Sequence, residues 1–202
     1  MSDEPVEKFR PTSGRVMGSI GLVLVIVIVL IGVLDRDQGY SPVVVWTALV
    51  VGVVMWAAML RPRLWATESD LVMRNSFSTL HVPLAAIEQI AVRQVCAVRV
   101  GERRYVSPAV GKSWRQALRS DKRLERNRQR AADPETPGTM PYPTYVEDRL
   151  HQLAEEARGR AGIALLSDEQ LALAAGVRRD WAWPEIVALV VALGGLVVSI
   201  AR

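Results

Sequence analysis

Three long apolar runs constrain the fold more than any other feature of this 202-residue chain. They cover residues 16–34, 42–60 and 181–201, and Glu185 is the only ionisable residue within them. At a rise of about 1.5 Å per residue, a helix of roughly 20 residues crosses a hydrocarbon core of about 30 Å. The chain is 50% hydrophobic yet 23% charged, and the uneven placement of these residues excludes a purely soluble protein. Three membrane spans are predicted.

The first two spans are predicted to form a transmembrane helical hairpin over residues 16–60, because only residues 35–41 separate them. The first run is longer than the apolar region of a signal peptide and no small-residue cleavage site follows it, so it is interpreted as a retained anchor. Glu185 lies in the first turn of the third span. There it complements the helix dipole and reaches the headgroups, which favours a structural role over a functional one.

Basic residues at the ends of the spans predict their direction. The tail of residues 1–15, the segment after the second span and the segment before the third all contain several basic residues, whereas the hairpin link has one Arg and two Asp. The positive-inside rule then places the tail and residues 61–180 in the cytoplasm and the C-terminus outside the plasma (inner) membrane. The flanking basic residues are Lys8, Arg10, Arg15, Arg61, Arg63, Arg178 and Arg179.

Small residues at helical spacing on the second and third spans predict helix–helix packing, because they let two backbones approach closely. Such a contact is either internal or made with another protein, and the alternative is that Ala and Gly are simply frequent in membrane helices. The residues are Ala48, Gly52, Ala188, Ala192, Gly195 and Ser199.

Residues 61–118 are predicted to form a small antiparallel β domain. Leu71 and Met73 alternate with Val72 and Arg74, and a longer apolar face follows, opposite two arginines. That face consists of Ile90, Val92, Cys96, Val98 and Val100, with Arg93 and Arg99 on the other side. A domain of about 50 residues has a thin core, so a covering helix or a neighbouring subunit is expected to help it fold.

The sign of the net charge differs between the two parts of residues 61–180. Residues 61–132 hold 15 basic and 6 acidic residues, and residues 133–180 hold 5 and 9. A basic segment and Pro-rich linker over 119–143 marks the change. In residues 144–180, Val146, Leu150, Leu153 and Ala157 have the spacing of an amphipathic helix. A short helix over 168–175, with Ser167 as N-cap and Gly176 at its end, follows. The predicted fold is therefore an α+β membrane protein: three transmembrane helices plus a small cytoplasmic antiparallel β domain with C-terminal helices.

Several short motifs follow one another in the predicted β domain. Thr67 precedes a Leu-x-x-Arg-Asn strand, a Val-Pro-x-x-x-Ile segment leads into a long apolar strand, and a Gly-x-Arg hairpin follows. The matching positions are Thr67, Leu71, Arg74, Asn75, Val82, Pro83, Ile87, Gly101 and Arg103. This order resembles the short bacterial pleckstrin-homology (PH-like) family of actinobacterial membrane proteins, often labelled low-molecular-weight-antigen-6-like. Leu84 stands where the family often has Trp.

The resemblance covers about 50 of the 202 residues. It implies a small PH-like β-barrel or half-barrel with a covering helix, beside a hairpin of two spans. It implies no phosphoinositide site, because no phosphate-binding motif matches residue by residue.

No catalytic, metal or cofactor site is predicted. The two His and the single Cys are scattered, and Cys96 is interpreted as a core residue. Residues 111–113 read Gly-Lys-Ser, but Val106 stands where a phosphate-binding loop needs Gly. The acidic pairs Glu147/Asp148 and Glu155/Glu156 are interpreted as solvated helix faces. A non-enzymatic protein is expected.

The basic stretch of residues 112–130, predicted to be helical, carries eight Lys and Arg against two acids. Near a bilayer each such residue contributes about 1 kcal/mol to binding anionic headgroups. The alternatives are a solvated helix, pairing with the acidic 147–156 helix, or an acidic partner protein. Nucleic acid is not favoured, because no aromatic residues interleave with the charges. The contact residues are Arg115, Arg119, Lys122, Arg123, Arg126, Arg128 and Arg130.

Two functional hypotheses follow. In the first, the chain is an accessory or assembly subunit of a larger bacterial membrane complex, and its cytoplasmic PH-like domain mediates protein interaction. In the alternative it is a peripheral sensor of anionic lipid that uses the basic helix 112–130. The membrane and other membrane-protein subunits are the expected partners.

Overall fold

The computed structural model describes residues 5–11, 14–34, 41–111 and 142–202. Within these residues the chain is α+β, with two antiparallel sheets and five α-helices. The chain divides into two compact units. The first comprises Met1–Ser13, Arg63–Met73 and Leu80–Arg178, and the second comprises Gly14–Pro62, Arg74–Thr79 and Arg179–Arg202.

Eight short strands make up the two sheets of the described chain. They are β1 (Glu7–Phe9), β2 (Arg63–Ala66), β3 (Asp70–Arg74), β4 (Ser78–Pro83), β5 (Gln89–Val92), β6 (Cys96–Val100), β7 (Arg103–Ser107) and β8 (Arg178–Trp181). One sheet has five strands in the order β1-β2-β3-β4-β8, and the other has three in the order β5-β6-β7. The predicted antiparallel β fold is confirmed.

The longest apolar face predicted from the sequence lies on a hairpin and not on one continuous strand. Residues 93–95 turn the chain between β5 and β6, which pair with Ile90 opposite Val98 and Val92 opposite Cys96. Paired residues of antiparallel strands point to the same face of a sheet. The five apolar side chains therefore share one buried face, as predicted, although the continuous strand is wrong.

Strand β3 also departs from the predicted alternation. Leu71 and Met73 are buried as expected, but Val72 between them is buried as well. Both faces of this strand are therefore covered, and a strand covered on both faces reads as a continuous apolar run and not as an alternation. Asn75 and Ser76 do lie in a turn, where the Asn75 amide donates to the Ser78 carbonyl.

Two helices complete the first unit. Helix α3 (Tyr142–Ala161) buries the predicted stripe against the strands, namely Val146, Leu150, Leu153 and Ala157, together with Ala154. Helix α4 (Asp168–Leu173) begins as predicted, with the Ser167 hydroxyl accepting a hydrogen bond from the Gln170 amide, and a 3-10 turn (Ala174–Gly176) ends it. The first unit therefore has a single apolar core between strands and helix.

The N-terminal tail contributes to that core, which the sequence analysis did not anticipate. Strand β1 pairs with β2, with Glu7 opposite Ala66 and Phe9 opposite Leu64. Phe9 is buried, and the Arg149 Nε of α3 donates to the Glu7 carboxylate over 2.7 Å. A three-residue strand is too short to leave a periodic signal, because alternation needs at least four positions.

The second unit contains the three apolar helices. They are α1 (Arg15–Leu34), α2 (Pro42–Met55), which continues as a π-helical turn (Trp56–Leu60), and α5 (Trp183–Ile200). With 20, 19 and 18 residues, all three are long and apolar enough to cross a membrane. The third begins two residues later than predicted, because Trp181 belongs to β8 and Pro184 sits in the first turn of the helix.

Helix α2 packs against both α1 and α5, and glycines mark the closest approaches. A Cβ added to Gly52 would lie 2.8 Å from Val25 of α1, and one added to Gly195 would lie 2.4 Å from the Trp46 ring. Of the predicted packing residues, Ala48, Gly52 and Ala192 are buried in these contacts. Ala188 is exposed, and the Ser199 hydroxyl donates within its own helix to the Leu196 carbonyl.

Candidate functional site

The residues predicted to contact anionic lipid or a partner lie outside the described part of the chain. Residues 112–141 contain the whole basic stretch and most of the Pro-rich linker, and residues 35–40 contain most of the hairpin link. The undescribed contact residues are Arg115, Arg119, Lys122, Arg123, Arg126, Arg128 and Arg130. The described residues instead point to a different site, among the apolar helices.

An ion pair joins the end of the second apolar helix to the start of the third. Arg61 Nε lies 2.6 Å from Glu185 Oε1, and the Arg61 side chain is 5% exposed against 14% for Glu185. Arg61 also donates through Nη1 to the Asn75 carbonyl, and its own amide donates to the Trp56 carbonyl at the π-helical turn. The guanidinium thus bridges the first turn of α5 and the turn at Asn75, while the backbone of Arg61 is fixed by the π-helical turn.

This pair adds a contact that two sequence-based interpretations did not include. Arg61 was counted as a flanking charge that sets direction, and Glu185 as a residue complementing its own helix dipole and reaching headgroups. In the structure the two neutralise each other, because a buried charge is costly unless it is paired and hydrogen-bonded. They are 124 residues apart, so sequence spacing cannot reveal the contact. The available signal was an acid in the first turn of an apolar run.

Beside the pair, an apolar groove of about 490 Å³ runs between α1 and α5 over α2. Its lining is aliphatic apart from Trp56, Pro184 and Glu185, and Ala188 forms part of its wall. The α1 residues of the lining are Leu22, Val25, Ile26, Val29 and Leu30, and α2 supplies Leu49, Gly52 and Val53 besides Trp56. A predominantly apolar concavity with one charged group is the usual composition of a small-molecule site.

The two ends of the groove differ in chemistry. At one end lie Trp56 and Glu185, next to Arg61. At the other end the lining stops at Leu49, one helical turn before Trp46, whose ring packs against Gly195. The groove therefore has a carboxylate at one end and only hydrocarbon at the other.

The predicted solvated acids of α3 need one correction. The Glu147 Oε2 accepts a hydrogen bond of 3.1 Å from the Val92 amide at the end of β5, while Asp148, Glu155 and Glu156 are exposed. Val92 is the last residue of its strand, and a buried amide left without an acceptor is costly. Glu147 therefore acts as a structural acceptor.

A buried glutamine holds the loop between α3 and α4. Gln170 is 1% exposed; its Nε2 donates to the Ala85 and Ile87 carbonyls, and its Oε1 accepts from the Leu166 amide. Leu166 has a φ of 61°, which is unfavourable for a residue with a Cβ. The loop thus presents two leucines to solvent, with Leu165 54% and Leu166 70% exposed. No sequence pattern pointed to this pair.

The single cysteine lies in the core, as predicted. Cys96 is fully buried, and burial, with a smaller contribution from the charge of Glu147, raises the pKa of its thiol to about 12. A thiol with such a pKa is protonated near neutral pH and is a poor nucleophile. Among the described residues, no three His, Cys, Asp or Glu side chains lie together in a group that could hold a metal ion.

The chain was compared with protein families, curated proteins and solved structures. No protein family, no curated protein and no solved structure matches this chain.

Proposed function

We propose that this chain is a non-enzymatic integral membrane protein that serves as an accessory or assembly subunit of a larger bacterial membrane complex. Its three apolar helices span the plasma membrane, and residues 61–180 form a cytoplasmic PH-like domain that contacts a partner. The observation that carries the proposal is the exposure of the apolar helices. Of α1 only Gly18 and Val25 are buried, and of α5 only Ala192.

Such exposed apolar surface supports a membrane setting for a physical reason. Soluble proteins rarely expose contiguous apolar patches of more than a few hundred Å², whereas lipid or neighbouring transmembrane helices cover such faces at no cost. The proposed direction rests on the arginines next to the helices, with Arg15, Arg63, Arg178 and Arg179 on the cytoplasmic side.

The loop of residues 163–167 supports an interaction role for the cytoplasmic domain. A non-glycine residue at positive φ costs of order 1–3 kcal/mol and persists only where its surroundings enforce it. The hydrogen bond from the Leu166 amide to Gln170 holds this conformation, and the loop exposes two leucines, Leu165 and Leu166. This geometry suits an apolar surface of a neighbouring subunit.

A purification of the tagged full chain from native membranes in mild detergent tests the proposal. We expect partner proteins to co-purify with the wild type and to be lost with the double substitution Leu165→Ser and Leu166→Ser. The matched control is Val106→Ser, which removes an apolar side chain of 45% exposure on strand β7. Release of the chain from membranes by alkaline carbonate, or recovery of the wild type as monomer alone, contradicts the proposal.

A further inference from the structure

We infer that Arg179, which lies over the Trp181 ring, binds the phosphate of one anionic phospholipid just before the start of α5. The inference rests on the proposed membrane setting and goes beyond the proposed interaction role, because the site needs no partner protein. It is also separate from the basic stretch of residues 112–130.

Two adjacent arginines of strand β8 have different surroundings. Arg178 Nη2 lies 3.8 Å from Asp70 Oδ2, so a carboxylate partly neutralises this charge. The guanidinium carbon of Arg179 instead lies 5.8 Å from the centre of the Trp181 ring. Successive side chains of a strand point to opposite faces, so Arg179 and Trp181 share one face. Arg178 and Asp180 lie on the other face, and the charge of Arg179 is therefore set against a ring.

The ring leaves Arg179 ready for an anion. A guanidinium that lies over an aromatic face keeps its five N–H donors, which lie in its own plane, available to an acceptor. Among the described residues, no carboxylate or other acceptor pairs with this guanidinium. A phosphate accepts two parallel N–H bonds from such a group, and these charge-assisted bonds are stronger than neutral ones. The side chain thus offers a phosphate both charge and donors.

The position of the site selects a phospholipid over a soluble phosphate. Trp181 and Trp183 are 55% and 66% exposed, and α5 begins at Trp183. Exposed indoles at the end of a membrane span lie at headgroup depth, where lipid covers the ring and the polar region accepts from its N–H. Because Arg179 lies over one of these rings, its guanidinium is at the depth of the lipid phosphates.

The charge of Arg179 selects an anionic headgroup over a zwitterionic one. Phosphatidylglycerol carries a phosphodiester and no cation, whereas the choline of phosphatidylcholine offsets the charge of the same phosphate. The contribution of one basic residue near an anionic surface corresponds to about fivefold in affinity. The two lipids can carry the same acyl chains, so they form a matched pair of probes.

Lipid retention by the full chain in detergent tests the inference. The delipidated protein is incubated with dioleoyl phosphatidylglycerol or dioleoyl phosphatidylcholine and repurified, and the lipid retained per chain is measured by mass spectrometry. We expect one phosphatidylglycerol per chain and about fivefold weaker retention of phosphatidylcholine. Equal retention of the two lipids overturns the anionic ligand. Displacement of phosphatidylglycerol by inorganic phosphate, but not by chloride at the same ionic strength, overturns the lipid in favour of a soluble phosphate.

Two neutralising substitutions provide a matched comparison. Arg179→Gln removes the charge from above the ring, and we expect about a fivefold loss of phosphatidylglycerol. Arg178→Gln removes an equal charge one residue away and should leave retention unchanged, because Arg178 lies on the other face beside Asp70. Both residues belong to an exposed strand, so both variants keep the fold. Equal losses would show a diffuse attraction and overturn the site at Arg179.

The ring is tested by a second pair of variants. Trp181→Leu keeps an apolar side chain but removes the ring beneath Arg179, and we expect it to lose phosphatidylglycerol to the extent that Arg179→Gln does. Trp183→Leu removes the other exposed indole, leaves the ring of Trp181 in place and should retain the lipid. Equal retention by Trp181→Leu and Trp183→Leu overturns the part assigned to the ring.

The outcomes separate this inference from the proposed function. Failure of the lipid tests in a chain that resists carbonate extraction and co-purifies with partner proteins overturns the lipid site alone. A partner protein that Arg179→Gln displaces, with no lipid retained by the wild type, also overturns it. Extraction by carbonate overturns the membrane setting, and the lipid site with it.

Discussion

Arg61 and Glu185 form an ion pair of 2.6 Å that connects the end of α2 to the first turn of α5. Both side chains are largely buried, and Arg61 also donates to the Asn75 carbonyl. The contact favours the depth at which α5 packs along α2, because it pairs two charges that would be costly to leave buried alone. It also places a carboxylate at the end of the apolar groove.

Removing the cation from this pair leaves a buried carboxylate uncompensated. We expect Arg61→Gln to reduce the free energy of unfolding by about 3–5 kcal/mol, the range for breaking a buried pair. The measurement is the denaturation midpoint of the full chain in mixed micelles. Arg63→Gln is the control, because Arg63 is exposed and flanks the same helix. Equal effects of the two substitutions would show that the pair contributes nothing beyond a surface charge.

The closest approach of α2 and α5 is equally testable. In Gly195→Ala the new methyl group would lie 2.4 Å from the Trp46 ring, so the ring or the helix must move. We expect this variant to be destabilised by about 1–3 kcal/mol, the usual cost of overpacking. Gly194→Ala, with nothing within 4 Å of the added Cβ, should be neutral or more stable because alanine favours helix. The reverse order would contradict the packing of these helices.

The two units differ in how far the sequence could predict them. The apolar runs predict the ends of the three apolar helices to within two residues, because a span has to match the thickness of a bilayer. The buried face of α3 was predicted from helical periodicity alone, through Val146, Leu150, Leu153 and Ala157. The turn at residues 93–95 was not predicted. Two paired strands place alternate apolar side chains on one buried face, and a single long strand would give the same sequence pattern.

The groove and its ion pair were beyond sequence reasoning for another reason. Arg61 and Glu185 are brought together by the packing of α2 and α5, and nothing local to either residue encodes that contact. The stripe of small residues did predict an approach at Gly52, Ala192 and Gly195. It predicted Ala188 as a packing residue too, although in the structure this residue lines a space and not a contact.

Glu147 is expected to stabilise the first unit through the Val92 amide. In Glu147→Ala the amide loses its acceptor, and we expect a loss of about 1–3 kcal/mol, the penalty for an unsatisfied buried donor. Urea unfolding followed by tryptophan fluorescence measures it. Asp148→Ala, which removes the exposed neighbouring acid, should change stability by less than about 0.5 kcal/mol. Similar losses of stability in both variants would show that Glu147 is an ordinary solvated acid.

Gln170 is expected to be intolerant of a carboxylate. Gln170→Glu keeps an acceptor for the Leu166 amide but loses the donor to the Ala85 and Ile87 carbonyls. Glutamate is an acceptor only, so we expect a loss of at least about 2 kcal/mol at neutral pH. Hydrogen exchange at residues 163–167 should accelerate in parallel. Glu169→Gln, an exposed neighbour, is the control, and unchanged exchange in Gln170→Glu would exclude the proposed restraint on the loop.

The thiol of Cys96 makes stability depend on pH in the alkaline range. Burial raises its pKa in the folded protein from the ordinary value of 9.0 to about 12. Because the folded state holds the proton more tightly, this stabilising contribution is complete below pH 9 and is lost as the pH rises from 9 towards 12. We therefore expect the wild type to lose stability more steeply than Cys96→Ala across that interval, as measured by urea midpoints at matched pH. Since the chain has one cysteine, alkylation offers an independent measurement: a maleimide should label the folded protein only at the rate of unfolding. Rapid labelling without denaturant, or parallel pH profiles of the two proteins, would place the thiol outside the core.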